Sequence, residues 1–314
     1  MLNPSRNLRK VAASLFADLE QQEIFVRNLS RPGREEVALL WLRERVEDPF
    51  NSKPPFSWQP PFVTRVDRNE QPGKHLLHAE GAFYCLDMAS VFMAMPFLNI
   101  ERNLQCVVDV CASPGGKSLL AWKFLQPELL IANENIGKRT AALISNIKRC
   151  QIDSCVVTNN DSKILGEALE TCADLVIVDA PCSGQSLMAK GEKTASCFHP
   201  VTINKCAMRQ RRIIANSAQM VAPGGFLVYM TCTFSREENE DILEWFLKKH
   251  SDFQACEVLS LAGFESDLAD FPCYRLWPQR LEGAGGFTSL LQRSVGFERG
   301  ESNLSALRIC LDRR

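Results

Sequence analysis

No two of the 13 cysteines stand at CxxC spacing, which removes the commonest zinc and dithiol-redox signatures. Histidine is scarce as well. Of the four, only His75 and His78 lie close together, and no cysteine or acid at ligand spacing completes a site around them. No metal is therefore expected. Excess charge of either sign is also lacking: 36 basic against 37 acidic residues leave a net charge of −1. A chain-wide electrostatic footprint for nucleic acid is excluded, so any such binding must use a local patch. There is no apolar run long enough to span a bilayer and no signal-peptide pattern. With an odd number of cysteines, the chain reads as cytoplasmic with reduced thiols. What remains is an ordinary globular composition, 46% hydrophobic and 23% charged over 314 residues, enough for one large domain or two modest ones.

Residues 1–48 read as helical. VAASLFADLEQQEIFVRNL and REEVALLWLRERV space their apolar residues as helices do, separated by the breaker SRPG. Residues 49–75 are rich in proline and aromatics, which predicts an extended linker or a surface loop. From about residue 104 short apolar runs alternate with helical patterns. LQCVVDV (104–110), LLIAN (129–133), SCVVTN (154–159), DLVIVDA (174–180) and GFLVYMT (225–231) predict five strands. Fully apolar strands between helices imply an α/β fold whose parallel sheet is covered on both faces. Ligands of such sheets bind beyond the carboxyl ends of the strands.

Unusual polar residues gather at those ends. DVCASPGGK (109–117) closes the first strand with paired glycines that let backbone approach a ligand. The helix that follows, with Lys117, can hold a carboxylate or phosphate. The spacing is neither GxxxxGK[ST] nor GxGxxG. The second strand ends at Glu134, where a ribose hydroxyl is held in nucleoside-binding sheets, and the third ends at Asp161, placed to meet an adenine amino group. Each acid alone is more often a helix cap. Together with the glycine turn they favour a nucleoside, and one bearing a carboxylate, such as S-adenosylmethionine, suits Lys117.

Cys182 and Cys232 follow the fourth and fifth strands. Most cysteines here, Cys106, Cys150 and Cys310 among them, are expected to be packing. These two differ in standing at the ligand end, where a thiolate is a nucleophile. Two thiols and the carboxyl of Asp179 match the needs of methylation at a pyrimidine carbon. A thiolate adds to C6, an acid near N3 stabilises the adduct, and a base removes the C5 proton.

Seven ordered blocks carry a resemblance: GAFYCLDMAS (81–90), DVCASPGGK (109–117), NENIGKRTAALISNIKRC (133–150), VTNND (157–161), DAPCSG (179–184), PGGFLVYMTCTFSREENE (223–240) and RLWPQRLEGAGGF (275–287). From about 81 to 294 the chain resembles the bacterial RNA 5-methylcytosine methyltransferases of the Sun/Fmu family, its RsmB/RsmF-like members in particular. The resemblance implies a Rossmann-like methyltransferase core with a small helical N-terminal region. With the helical pattern of 1–48 and the proline-rich 49–75, the chain divides into an N-terminal helical region with its linker, 1–75, and an expected catalytic domain, 76–314. The resemblance implies Cys232 as the nucleophile on C6, Cys182 as the thiol that helps resolve the adduct, and Asp179 on the cytosine. It implies that Cys111, Ala112, Ser113, Pro114, Gly115, Gly116, Lys117, Glu134, Asp161 and Asp179 hold S-adenosylmethionine, and it groups Arg139 with them. The chain departs from the family at Ala189, where an arginine is common, in EKTASCFHP (192–200), and at Gly286, where an aromatic is common.

An RNA partner follows from the resemblance, ribosomal RNA ahead of transfer RNA, with the protein expected to be a monomer. Lys190 is implied to line the site. KCAMRQRR (205–212) offers Lys205, Arg209, Arg211 and Arg212 as RNA contacts, against the default that a charge run is a solvated helix face. NPSRNLRK (3–10) is a second candidate arm, and FVTRV (62–66) faintly echoes the opening of the N-terminal RNA-binding region of relatives. Phe50, Phe56, Trp58 and Phe62 are candidates to stack on bases, with packing the favoured role. A catalytically silent RNA-binding assembly factor is the reading from another class. DNA cytosine methylation shares the thiol logic but needs no second, TC cysteine.

Overall fold

The computed structural model of the protein describes residues 4–30, 36–45, 48–100, 104–191, 196–281, 284–296 and 298–314. Asn3 of the first basic stretch and residues 192–195 of EKTASCFHP lie outside them.

Ser5 caps α1 (Arg6–Leu15) by accepting from the Leu8 amide, and α2 (Leu19–Ser30) follows. The next apolar run is not the helix its spacing predicts. It forms β1 (Glu36–Trp41), which pairs antiparallel with β2 (Val63–Asp67) on one side and β3 (Phe83–Leu86) on the other. The reason is two-sided burial. Leu39 and Trp41 pack with Phe50, Val66 and Phe83, while Ala38 and Leu40 face the main core. A central strand covered on both faces reads as a continuous apolar run, which period alone does not distinguish from a buried helix. The predicted linker is likewise packed: Phe50 and Trp58 are buried, Phe56 stacks on Trp58, and Phe62 meets Phe124 edge-on. After α3 (Leu76–Ala79), Asp87 caps α4 (Met88–Met93).

The core sheet is built on β4 (Cys106–Asp109), β5 (Leu129–Asn133), β6 (Cys155–Thr158), β7 (Ala173–Asp179) and β8 (Val221–Thr231), all parallel. Side chains alternate strictly between two cores. Val107, Leu130, Val157, Ile177 and Val228 lie on one face; Val108, Ile131, Val176, Val178 and Tyr229 lie on the other. The first face is covered by α5 (Gly116–Leu125) and α6 (Gly137–Arg149). The second is covered by α7 (Ser162–Ala168), α8 (Pro200–Met220) and α9 (Glu240–Lys249). Beyond them β9 (Phe253–Cys256), β10 (Tyr274–Leu276), α10 (Pro278–Leu281) and β11 (Gly286–Arg293) extend the β8 edge, and β12 (Ile309–Arg313) closes the β6 edge antiparallel.

The spatial order is β10-β11-β8-β7-β4-β5-β6-β12, with β9 also on β11. The chain winds outward from β4 to β6, then returns to β7 on β4's other side. The crevice for a ligand is therefore set between the tips of β4 and β7. The expected α/β fold with a Rossmann-like core is the fold observed. Among the described residues no helix is long and apolar enough to cross a membrane.

Candidate active site

The glycine turn and the thiols occupy the two sides of that crevice. β4 ends at Asp109, and the turn reaches Gly115, whose φ of 117° lies in the region glycine tolerates. Helix α5 starts at Gly116, so its first amides face the crevice. The turn is latched from below. Ser113 Oγ donates to the Arg139 carbonyl at 2.9 Å, Arg139 Nη2 donates to the Ser113 carbonyl at 2.7 Å, and Asn146 Nδ2 donates to the Pro114 carbonyl at 2.9 Å. Arg139 thus acts on the turn through its backbone. Cys111 is kept a thiol by burial and by the nearby Asp109 charge, which push its pKa well up.

Glu134, at the tip of β5, is buried. Its Oε1 accepts from the Ile136 amide at 2.8 Å. Its Oε2 lies 3.3 Å from Arg139 Nη1 but has no hydrogen-bond partner among the described residues. A buried acceptor left open is costly without a ligand, and it suits a ribose hydroxyl. Asp161 caps α7, accepting from the Lys163 amide at 3.0 Å, with Arg212 3.7 Å from its other oxygen. The helix-cap role is therefore filled, and the carboxylate keeps a partly exposed edge. Glycine turn and open Glu134 oxygen together fit the nucleoside and backbone demands of S-adenosylmethionine.

The two thiols come together in the crevice. Cys182 lies three residues past the tip of β7 and Cys232 one past β8, and their Sγ atoms are 3.2 Å apart across 50 residues of sequence. That contact differentiates them. The hydrogen bond to Cys232, together with burial, pushes Cys182 well above the ordinary thiol value; the same contact, helped by the Lys117 charge, holds Cys232 below it. Cys232 is the thiol suited to ionise and attack.

Lys117, expected at the cofactor carboxylate, has its ammonium 3.0 Å from Asp179 Oδ2 and 3.3 Å from Ser90 Oγ. Burial alone would lower its pKa, but Asp179 and Asp87 more than offset this and keep it charged. Asp87 accepts from the Ser90 amide at 2.8 Å and from Lys190 at 2.7 Å. Burial would raise Asp87, yet Lys190 and Lys117 hold it below the usual carboxylate value. The result is an alternating row, Lys190, Asp87, Lys117, Asp179, beside the two sulfurs. A row of this kind binds a polar base edge and supplies fixed charge where negative charge develops.

Sequence reasoning assigned no role to Asp87, Ser90, Gln185 or Glu238. Gln185 Oε1 accepts from the Phe234 and Ser235 amides, and Glu238 accepts from the Ser183 amide and from Gln210 Nε2, tying the cysteine loops together. The one local signal was the aspartate before MAS, a plain helix cap.

The basic stretch lies along α8. Lys205, Arg209 and Arg212 are exposed, while Arg211 is partly buried with its guanidinium 5.8 Å from the Trp245 ring. The departures have local causes. Ala189 is buried in a cluster made by α1 and α2 with Phe198 and Phe234, where an arginine would not fit. At Gly286 a Cβ would stand 2.6 Å from Met93 Sδ, so an aromatic is excluded unless Met93 moves. Among the described residues no group of three or more His, Cys, Asp or Glu could hold a metal ion.

The family described as 16S rRNA methyltransferase RsmB/F matches residues 96–292. Ribosomal RNA small subunit methyltransferase F of Pectobacterium carotovorum is 27% identical over 286 residues, 86% of this chain and 59% of its own length. The protein of that name from Cronobacter sakazakii is 29% identical over 289 residues, 87% of this chain and 60% of its own. The chain thus spans 59% and 60% of the length of these two curated relatives. The crystal structure of a methyltransferase homolog protein from Pyrococcus horikoshii superposes with a TM-score of 0.75 at 20% identity, covering 90% of this chain and 93% of that one, and shares the fold.

Proposed function

The chain belongs to the 16S rRNA methyltransferase RsmB/F family, and on that premise we propose that it is an S-adenosylmethionine-dependent RNA cytosine-5 methyltransferase acting on ribosomal RNA. The observation that carries the proposal is the pair of thiols 3.2 Å apart, one on each side of a shared hydrogen bond, next to the Lys117–Asp179 pair. A single nucleophile needs one cysteine; forming and then resolving an adduct uses two differently poised ones.

The target cytosine must leave its stack to reach sulfurs set in the crevice. Cys232 Sγ donates an electron pair to C6, forming the S–C6 bond and making C5 electron-rich. In this reading Asp179 meets the N3 edge of the base, and Lys117 balances the charge that builds there. Bound S-adenosylmethionine supplies an electrophilic methyl group. Cys182, a thiol in the resting site because its pKa is pushed up, first gives its own proton to solvent, and the strongly basic thiolate left behind takes the C5 proton. The C5–H electron pair restores the C5–C6 double bond, the S–C6 bond breaks, and its pair returns to Cys232. Lys190, Lys205, Arg209 and Arg212 offer the RNA backbone local positive charge that the net charge of the chain does not. Gly115, Gly116 and Glu134 serve the cofactor, with Asp161 at its adenine end.

The test is transfer of labelled methyl groups from S-adenosylmethionine to total RNA from cells lacking the protein, followed by nucleoside analysis. Label is expected in 5-methylcytidine on small-subunit ribosomal RNA. Label on transfer RNA would change the substrate, and label in another nucleoside would overturn the chemistry. No label, with cofactor binding intact, would favour the silent assembly factor.

A further inference from the structure

Glu238 is a fully buried carboxylate to which the chemistry above gives no task. It ends the short helical turn Arg236–Glu238 that follows β8, six residues past Cys232. Its Oε2 accepts from the Ser183 amide at 2.9 Å and from Gln210 Nε2 of α8 at 3.0 Å. Its Oε1 accepts from Ser183 Oγ at 2.5 Å and lies 3.4 Å from Thr233 Oγ1. Ser183 Oγ and Thr233 Oγ1 are themselves 2.8 Å apart. Ser183 and Thr233 are the residues directly after Cys182 and Cys232. One carboxylate therefore ties together the two backbone positions that set the distance between the sulfurs.

Several other bonds join the same loops. Gln185 holds the Phe234 and Ser235 amides, and the Ser186 amide donates to the Cys232 carbonyl at 3.2 Å. These are neutral. Glu238 alone brings charge, and it brings it to the Cys182 side, while Lys117 stands on the Cys232 side. We propose that Glu238 is a positioning residue for the methyl transfer: it fixes the spacing of the two thiols and, as a buried negative charge beside Cys182, keeps Cys182 the protonated partner of Cys232. The inference rests on the proposed chemistry for its purpose, but the geometry and the charge are there without RNA.

The groups that face this carboxylate are Ser183 and Cys182 from the loop after β7, Thr233 and Tyr229 on the β8 side (the Tyr229 hydroxyl donates to the Glu238 backbone carbonyl), and Gln210 and Cys206 from α8. Among the described residues its hydrogen-bond partners are all neutral donors. Burial raises the Glu238 pKa, and the Ser183 and Gln210 hydrogen bonds oppose that rise. The donors on both oxygens are those an ionised carboxylate accepts.

The experiment uses the full chain without RNA. Wild type, Glu238→Gln and Glu238→Ala are alkylated with iodoacetamide under single-hit conditions at a series of pH values, and the Cys182 and Cys232 peptides are quantified by mass spectrometry. In wild type, Cys232 reacts about tenfold or more faster than Cys182 near neutral pH, because the thiolate is the reactive form. The glutamine can keep the hydrogen bonds to Ser183 and Gln210 while losing the charge. It is expected to move the Cys182 profile to lower pH and narrow the rate ratio about tenfold, with the Cys232 profile little changed. In the alanine variant the spacing is lost as well, so both profiles move and methyl transfer falls further than in the glutamine variant.

Unchanged profiles for both thiols in Glu238→Gln would overturn the charge role, and an unchanged ratio in a folded Glu238→Ala protein would overturn the spacing role. If the alanine variant does not fold, the glutamine variant alone decides for or against the proposal. If wild type shows the two thiol profiles but methylates no RNA, the functional reading fails while the positioning of the thiols stands.

Discussion

Replacing Arg275 by methionine should destabilise the protein severely, and the structure says by how much. Arg275 and its partner Glu240 have side chains 2% and 1% exposed. The guanidinium meets both carboxylate oxygens through Nε and Nη2, and Nη1 donates to the Phe234 carbonyl at 3.0 Å. Glu240 also accepts from Ser266 Oγ at 2.6 Å and sits in the first turn of α9. Arg275→Met would leave a buried carboxylate with a hydroxyl and a helix terminus for support, and remove a donor from the loop that carries Cys232. Breaking such a pair costs about 3–5 kcal/mol. The helix terminus returns up to about 2 kcal/mol of that in a buried setting, so the lower half of the range is expected. Urea unfolding at neutral pH measures it as a drop in midpoint without a change in slope. The double variant Arg275→Met/Glu240→Leu should recover most of the loss, because the orphaned charge is gone. A cost below about 1 kcal/mol for Arg275→Met, or a double variant no more stable than the single, would refute the reasoning.

Two further predictions follow from buried acids at the strand tips. Asp109, fully buried, has its pKa raised to about 7, chiefly by burial. Its folded-state pKa lies above the unfolded one, so its stabilising contribution is complete below the ordinary carboxylate range and is lost as pH rises through about 7. Stability should fall between about pH 4 and 7, and Asp109→Asn should flatten that fall by up to about 1.4 kcal/mol per pH unit; a parallel profile for the variant would contradict the assignment. Glu134→Ala removes the open buried acceptor at β5, and S-adenosylmethionine binding measured by calorimetry should weaken about tenfold or more, as loss of a charged hydrogen bond does. Unchanged affinity would remove Glu134 from the cofactor site.

How far the sequence could be read depended on whether a residue's neighbours were local. The five parallel strands were legible because each is a short apolar run set between helical patterns. β1 was not, since both its faces are covered and its partners β2 and β3 lie elsewhere in the chain. The closing strand β12 went unforeseen because it is a largely exposed edge strand with little period-two signal, and the buried β10 and β11 because the first is three residues long and the second mixes glycine, threonine and serine into its apolar run. In the site, Cys182, Cys232 and Asp179 were identifiable from their places at strand tips. Their electrostatic company was not. Lys190 meets Asp87 across 103 residues of sequence, and Ser183 meets Glu238 across 55. Nothing in LDMAS or REEN announces such pairings. Lys117 shows the limit most clearly. Its place at the helix start suggested a ligand carboxylate, while the fold turns its ammonium to the protein's own Asp179.

The most direct test of the account is the covalent adduct. Cys232→Ala and Cys182→Ala are each incubated with small-subunit ribosomal RNA and S-adenosylmethionine, and protein–RNA species that survive denaturing electrophoresis are measured beside methyl transfer. No adduct and no turnover are expected for Cys232→Ala, and an adduct that accumulates is expected for Cys182→Ala because its release is slowed. Adduct formation by Cys232→Ala together with its loss in Cys182→Ala would contradict the assignment of the two thiols.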